Sequence, residues 1–145
     1  MRQTKIDDFL QLEYHTKELE KKMKQIIKQN QKFEQYDLDF SEAVKYLETA
    51  QEPYKVEMAK ELNEKWFTKI SFYKNIMQNW ETSFIDMCSG PHVDNSNKID
   101  ANAFKLEKIA WAYWKGDAKN KMLTRIYALA FETREELDTH VKMLE

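Results

Sequence analysis

The spacing of apolar residues predicts helices in the first half of the chain. Between residues 16 and 32, apolar side chains recur every three or four positions with Lys and Glu between them, which is the pattern of one buried helix face. Thr16 is a suitable N-cap for this helix. Two shorter helices are predicted over 42–49 and 55–63, and Pro53 separates them because proline cannot continue a helix.

The second half of the chain has a different period and predicts strands. Four segments are rich in Ile and Phe or nearly alternate between apolar and polar residues: 69–76, 83–88, 104–114 and 124–131. The polar segment KGDAKNK (115–121) connects the last two. It predicts a hairpin in which Gly116 begins the turn and Asp117 and Asn120 close it.

The last residues predict one more helix. Thr133 and Glu136 have the spacing of a capping box, and apolar residues continue at helical spacing to the end of the chain. Helices followed by antiparallel strands and a C-terminal helix are typical of an α+β domain, in which helices pack on an antiparallel sheet. Because the chain has no internal repeat and no low-complexity linker, we predict one domain over residues 1–145.

The composition is that of a folded protein from a reducing compartment. Hydrophobic residues make up 42% of the 145 residues and aromatic residues 13%, too many for a disordered chain. A single cysteine excludes an internal disulfide and indicates an intracellular, cytoplasmic protein. No apolar run approaches the roughly 18 residues of a membrane span, and the initial MRQTKIDD lacks the apolar segment of a signal peptide. We therefore expect no membrane partner.

Charge is unevenly distributed, although the net charge is only −2. Residues 98–125 contain seven basic side chains, Lys98, Lys105, Lys108, Lys115, Lys119, Lys121 and Arg125, against three acidic ones, Asp100, Glu107 and Asp117. Such an excess can meet a phosphate backbone, and a solvated sheet face is the alternative explanation. Trp111, Tyr113 and Trp114 lie in the same segment. We predict that they belong to the core, with stacking on a nucleic-acid base as the alternative.

The stretch CSGPH (88–92) concentrates residues that are rare elsewhere in the chain. It holds the only cysteine, one of two glycines, one of two prolines and one of three histidines. Because alternate side chains of a strand share a face, Asp86 and Cys88 are predicted to project from the same side. The Gly-Pro pair cannot continue the strand, and the resulting turn can bring His92 back beside Cys88.

Asp86, Cys88 and His92 allow four explanations. Cys88 and His92 could supply two ligands of a tetrahedral zinc site, or the three side chains could form a nucleophile set. They could also position a water molecule for hydrolysis without a metal. Alternatively, Cys88 is a small buried apolar residue and His92 bonds to backbone. Further zinc ligands are lacking, because His15 is expected before the first helix and His140 on the surface of the last one.

Two longer stretches resemble a known family. FIDMCSGPHV (84–93) and AFKLEKIAWAYWKGDAKNKMLTRIYALAF (103–131) are similar to the second half of the editing domain of bacterial-type threonyl-tRNA synthetases. Weaker similarity extends upstream through EPYKV (52–56) and ELEKKM (18–23). The related domain of alanyl-tRNA synthetases has a Gly-Gly-Thr centre in the corresponding stretch, so the Gly-Pro pair favours the threonyl branch.

The resemblance implies a hydrolase that acts on the ester of mischarged seryl-tRNA(Thr). One missing methyl group gives an activating site only about 1–3 kcal/mol of discrimination, so a second site must remove serine. By the family pattern Lys55, Asp86, Cys88 and His92 line that pocket. Lys55 would position water or stabilise an oxyanion, Asp86 would bind the serine ammonium or hydroxyl, and His92 would bond to substrate or water. Cys88 would form a wall, since a thiol with a pKa near 8.5 is mostly protonated.

The family pattern also indicates what this chain lacks. The family's domain begins with an H-x-x-x-H segment and a strand rich in Gly, Phe and Tyr, and neither is present in residues 1–145. We therefore expect a partial domain whose partners are the acceptor end of tRNA(Thr) and the remainder of the synthetase. No cofactor is required, and a zinc site would be incomplete. The alternative function is that of a catalytically incomplete fragment that binds tRNA or serves a structural role.

Overall fold

A computed structural model describes the backbone from Arg2 to Glu145 and the side chains from His15 onward. The described helices are α1 (Arg2–Ile27), α2 (Phe40–Thr49), α3 (Pro53–Glu64) and α4 (Arg134–Leu144), and the strands are β1 (Lys32–Asp39), β2 (Lys69–Ile76), β3 (Thr82–Met87), β4 (Phe104–Tyr113) and β5 (Met122–Ala130). The α+β class is as predicted. The chain divides into a central unit, Gln29–Lys98, and a terminal unit, Met1–Lys28 with Ile99–Glu145. The extent of one domain over the whole chain stays a prediction.

The central unit is a three-stranded antiparallel sheet with helices on one face. The strand order is β1-β2-β3. The core consists of five buried residues from α2, α3 and β2: Ala43, Leu47, Ala59, Ile70 and Phe72. Apolar residues of the outer strands, such as Tyr36 and Ile85, pack against this core. We call this side of the sheet the core face; hydrophobic burial here is the main term that holds the unit together.

The opposite side of the same sheet carries the polar residues. Gln35, Tyr73 and Asp86 are register partners across the three strands, so their side chains share one face. The Cys88 amide donates to the Ser71 carbonyl at 3.1 Å, which extends the β2–β3 ladder by one residue beyond β3. We call this side, with Gln35, Ser71, Tyr73, Asp86 and Cys88, the polar face.

The terminal unit is a two-stranded hairpin with helix α1 beside it. The strands β4 and β5 pair antiparallel from Phe104↔Ala130 to Tyr113↔Met122. Within this unit Glu20 of α1 accepts a hydrogen bond from the Leu106 amide at 3.2 Å. The turn between the strands is closed as predicted, because the Asp117 carboxylate accepts from the Lys119 amide and the Asn120 side chain donates to the Trp114 carbonyl, each at 2.9 Å. Gly116 has a φ of +70°, which favours glycine.

The ends of α1 differ from the prediction. The helix begins at Arg2, so Thr16 lies inside it and is not an N-cap, and His15 lies on the helix rather than before it. The helix ends at Ile27, and the residues from Lys32 form β1, which was not predicted. The apolar residues of KFEQYDLD are spaced by three and then by two positions. This spacing matches neither a helical period nor the alternation of a strand, so the sequence did not indicate β1.

The prediction for the aromatic side chains of β4 was wrong. Trp111 and Tyr113 were predicted in the core, but they are 53% and 40% exposed. A two-stranded sheet has little apolar material to cover its faces, which explains the exposure of these rings. His140, predicted on the surface, is half-buried with its ring centroid 5.2 Å from that of Phe131. Thr133 does cap α4, accepting from the Glu136 amide at 3.3 Å. None of the described helices is both long and apolar enough to cross a membrane.

Candidate functional site

The CSGPH loop (88–92) leaves β3 and turns back on itself. After the Cys88–Ser71 backbone bond, the Gly90 amide donates to the Cys88 sulfur at 3.4 Å. Gly90 has a φ of +66°, a left-handed conformation that glycine adopts without steric cost, and the Gly90–Pro91 peptide bond is cis. The thiol is therefore held by its own loop.

After Pro91 the chain is anchored to the first strand of the sheet. The Phe33 amide of β1 donates to the Asp94 carbonyl at 2.9 Å, and the Ser96 amide donates to the Gln31 carbonyl at 2.8 Å. One end of the loop is thus bonded to β2 through Cys88, and the other end is bonded to β1. The loop crosses the polar face between these two anchors and carries His92 with it.

His92 packs against aromatic rings of the sheet. Its ring centroid lies 4.2 Å from that of Tyr73 with the planes at 74°, and 6.0 Å from that of Phe33. Edge-to-face contacts of this kind hold a ring in a defined orientation. The imidazole of the exposed residue His92 therefore lies over the polar face against these two rings.

Lys55 and Asp86 form the charged part of the site. Lys55 lies in the first turn of α3, and its Nζ contacts Oδ1 of Asp86. Glu52 lies 3.9 Å from the same Nζ. The two side chains of the contact are 30% and 35% exposed, so the pair is partly desolvated and open to a ligand.

Tyr73 is adjacent to three residues of this arrangement. It is the register partner of Asp86, its ring contacts His92, and its hydroxyl lies against Gly90. The structure thus brings Lys55 into contact with Asp86 and carries Cys88 and His92 on one loop over the same face. Sequence reasoning missed Tyr73, because a tyrosine at an alternating strand position is indistinguishable from a core residue until the pairing of β2 with β3 is known.

Gln31 is a second residue that the sequence did not indicate. Its side chain is almost fully buried, at 3% exposure, and its amide oxygen accepts from Ser83 at 2.8 Å and from Asn75 at 3.3 Å. Its backbone amide also bonds to the Ser96 hydroxyl at 2.9 Å. The side chain of Gln31 therefore links the start of β1 to β2 and β3, and its backbone links the same position to the segment that follows His92.

The described residues do not complete a metal site. From Arg2 to Glu145, with side chains considered from His15, no three His, Cys, Asp or Glu side chains are grouped closely enough to hold a metal ion. Cys88 and His92 could supply two donors, fewer than a tetrahedral zinc ion needs.

Asp94 and Tyr36 of the central unit have displaced pKa values, and both lie outside the loop. The hydrogen bond from Lys98 lowers the pKa of Asp94, whose Oδ1 is 2.9 Å from the lysine Nζ. Burial, followed by the nearby Tyr46, raises the pKa of Tyr36 on the core face.

Comparison with known proteins identifies the class. The model of the family described as "Threonyl and Alanyl tRNA synthetase second additional domain" matches residues 75–127, a range that includes the CSGPH loop and most of the β4–β5 hairpin. Residues 75–127 are therefore similar to this family of second additional domains.

The more detailed likeness is to threonine–tRNA ligases. The chain is 44% identical to that of Clostridium acetobutylicum over 138 residues, 95% of this chain and 20% of the relative. It is 46% identical to that of Clostridium tetani and 42% identical to that of Acetivibrio thermocellus, each over 127 residues, 88% of this chain and 18% of the relative. The chain thus spans about a fifth of the length of the curated relatives it matches.

Proposed function

We propose that this chain is the editing part of a cytoplasmic threonyl-tRNA synthetase and hydrolyses the ester of seryl-tRNA(Thr). Its partners would be the acceptor end of tRNA(Thr) and the remainder of the synthetase. The observation that carries the proposal is the Lys55–Asp86 contact, which lies on the sheet crossed by the loop that carries Cys88 and His92. Similarity to this family adds a substrate class to that chemistry.

Asp86 and Lys55 would each interact with a different charge of the substrate. A carboxylate accepts several hydrogen bonds, so pairing with Lys55 through Oδ1 leaves capacity for the ammonium group of the seryl moiety. The Lys55 ammonium would stabilise the negative charge that develops on the ester carbonyl oxygen during attack. Because the pair is formed before substrate binds, little reorganisation is needed at the moment of reaction.

His92 would orient the attacking water. A neutral imidazole accepts a proton from water as the oxygen attacks the ester carbonyl, and the resulting tetrahedral intermediate collapses with loss of the ribose oxygen. That oxygen takes the proton, so the products are serine and a tRNA with its terminal hydroxyl restored. Cys88, whose sulfur is bonded to the Gly90 amide, would form a wall of the pocket.

A second candidate function rests on the terminal unit. Trp111 and Tyr113 expose large fractions of their rings on a hairpin that also carries Lys108 and Arg125. The two rings and the two cations lie on opposite faces of the hairpin, because Trp111 pairs with Thr124 whereas Arg125 pairs with Ala110. Exposed rings can stack on bases and cations can contact phosphates without any hydrolysis. Under this alternative the chain is a tRNA-binding module of the synthetase.

The test incubates the purified chain with seryl-tRNA(Thr) and, separately, with threonyl-tRNA(Thr). We expect ester loss above the buffer rate for the seryl substrate, abolished by His92→Ala. His140→Ala is the matched histidine control and should keep wild-type activity, because His140 lies on α4. Binding of tRNA without ester loss would overturn the editing proposal and favour the binding module.

A further inference from the structure

Tyr73 occupies space that a side chain at position 90 would need. An ideal Cβ built on Gly90 would lie 2.2 Å from the Tyr73 hydroxyl oxygen and 2.8 Å from two carbons of its ring, Cε2 and Cζ. Real Cβ atoms do not approach heavy atoms this closely. Glycine is therefore required at position 90 for two separate reasons, the positive φ and the tyrosine ring beneath the loop.

The same ring contacts the imidazole of His92 from β2. The loop is anchored at Cys88 on β2 and at Asp94 on β1, so its middle lies over the polar face without a backbone bond to β2. The distance of 4.2 Å between the ring centroids of Tyr73 and His92 is shorter than the distances of Phe72 to Tyr36 and Tyr46 in the core. The contact with the Tyr73 ring therefore orients His92.

We propose that Tyr73 is a positioning residue, whose ring supports the CSGPH loop at Gly90 and sets the place of the His92 imidazole relative to Asp86. Tyr73 is also the register partner of Asp86, so this one residue is next to both Asp86 and His92. The consequence for hydrolysis rests on the proposed function above, whereas the positioning itself does not. Two of the following three measurements are therefore independent of activity.

The first measurement is the NMR signature of the His92 ring. In the wild-type chain the ring protons of His92 should be displaced from free-imidazole values by the ring current of Tyr73. Tyr73→Phe keeps an aromatic ring and should preserve the displacement, whereas Tyr73→Leu should abolish it. Unchanged His92 resonances in a folded Tyr73→Leu variant would overturn the proposal.

The second measurement is the coupling between Gly90 and Tyr73. Gly90→Ala should lower the folding equilibrium constant in the wild-type background through both the positive φ and the clash. The loss should be smaller in Tyr73→Phe, which lacks the hydroxyl, and smallest in Tyr73→Leu. Neighbouring residues that share a contact are expected to be non-additive in this way. An equal loss in all backgrounds would mean that φ alone constrains position 90, and would overturn the support role.

The coupling can still be measured if one of the variants does not fold. If Tyr73→Leu is unfolded, the comparison of Gly90→Ala in the wild-type and Tyr73→Phe backgrounds still decides the matter. The hydroxyl contact at 2.2 Å disappears in Tyr73→Phe while the contacts at 2.8 Å remain, so a partial relief is the expected result.

The third measurement is hydrolysis of seryl-tRNA(Thr). Misplacement of a reacting group by about 1 Å can reduce a rate by about 10²-fold, so Tyr73→Leu should reduce kcat by about that factor with KM nearly unchanged. Tyr73→Phe should retain activity. If the wild-type chain does not hydrolyse the ester, the proposed function fails and the first two measurements still test positioning. If Tyr73→Leu retains wild-type kcat, the positioning proposal fails although the function stands.

Discussion

Phe72 and Tyr73 are consecutive residues of β2 that face opposite sides of the same sheet. Phe72 is fully buried, with the rings of Tyr36 and Tyr46 at 5.7 and 5.6 Å, and it belongs to the core beneath α2 and α3. Tyr73 is nearly as buried, but its neighbours are His92 and Gly90 of the loop. One step along the strand thus separates the packing that holds the fold from the packing that holds the candidate site.

The two faces differ in what a substitution removes. On the core face, neighbouring side chains are apolar, so a smaller residue leaves a cavity and reduces stability. On the polar face, the contacts are an ion pair, hydrogen bonds and a loop, which contribute less to stability and more to the placement of reactive groups. Stability and activity should therefore respond separately to substitutions on the two faces.

The largest expected effect is that of Phe72→Ala. Removal of a fully buried phenyl ring costs about 3–5 kcal/mol because it leaves a cavity that the surroundings fill only in part. Urea unfolding should show this as a lower midpoint with a similar slope. A loss below about 1 kcal/mol, the usual size for surface changes, would contradict the assignment of this face as the core of the central unit.

Lys55→Ala should have the opposite profile. Removal of one group that stabilises an oxyanion reduces kcat by about 10²–10³-fold. Because the Lys55–Asp86 pair is about one-third exposed, the free energy of unfolding should change by no more than about 1 kcal/mol. The hydrolysis assay and urea unfolding measure the two quantities on the same sample.

Lys24→Ala is the matched control for this prediction. Lys24 also forms an ion pair, with Glu20 at 3.3 Å, and the side chains are exposed to a similar extent. It lies on α1 and should leave hydrolysis unchanged. An equal loss of activity in both lysine variants would indicate a general effect of charge on tRNA binding rather than a specific role of Lys55.

Gln31→Ala should have an intermediate effect on stability. The substitution removes a buried side chain whose amide oxygen accepts from the partly buried Asn75 and the exposed Ser83, which costs about 1–3 kcal/mol. Gln35→Ala is the control, because the Gln35–Ser71 hydrogen bond at 2.7 Å is exposed and its loss can be replaced by water. If urea unfolding shows an equal loss of unfolding free energy in both variants, the hydrogen bonds of Gln31 do not contribute more to stability than that of Gln35.

Most of the fold could be predicted from local patterns. The bounds of β2 agree with the prediction, and the other predicted strands differ by one or two residues at their ends. The hairpin turn and the Thr133 cap follow from residue types with a local mechanism. The strand β1 could not be found, because its identity depends on pairing with β2, 30 or more residues away at every register pair.

The candidate site was predictable only where it depends on local sequence patterns. Asp86 and Cys88 share a face through simple alternation, and the Gly-Pro turn indicated a change of direction before His92. Lys55 came from the family resemblance, since nothing local relates it to Asp86 across 31 positions. Tyr73 and Gln31 act through contacts with distant segments, and such contacts have no local sequence pattern.

The smallest expected effect concerns pH and the core face. Burial, and then the interaction with Tyr46, raise the pKa of Tyr36 above its ordinary value of 10.0, so the unfolded chain loses this proton at a lower pH than the folded protein does. As the pH rises above about 10, the unfolded state is therefore increasingly favoured. The free energy of unfolding decreases until the pH exceeds the pKa of Tyr36 in the folded protein. Tyr36→Phe should reduce the slope of unfolding free energy against pH in this range. Tyr46→Phe removes only the smaller cause and should leave most of the slope. An unchanged slope in Tyr36→Phe would mean that Tyr36 does not link the core face to alkaline unfolding.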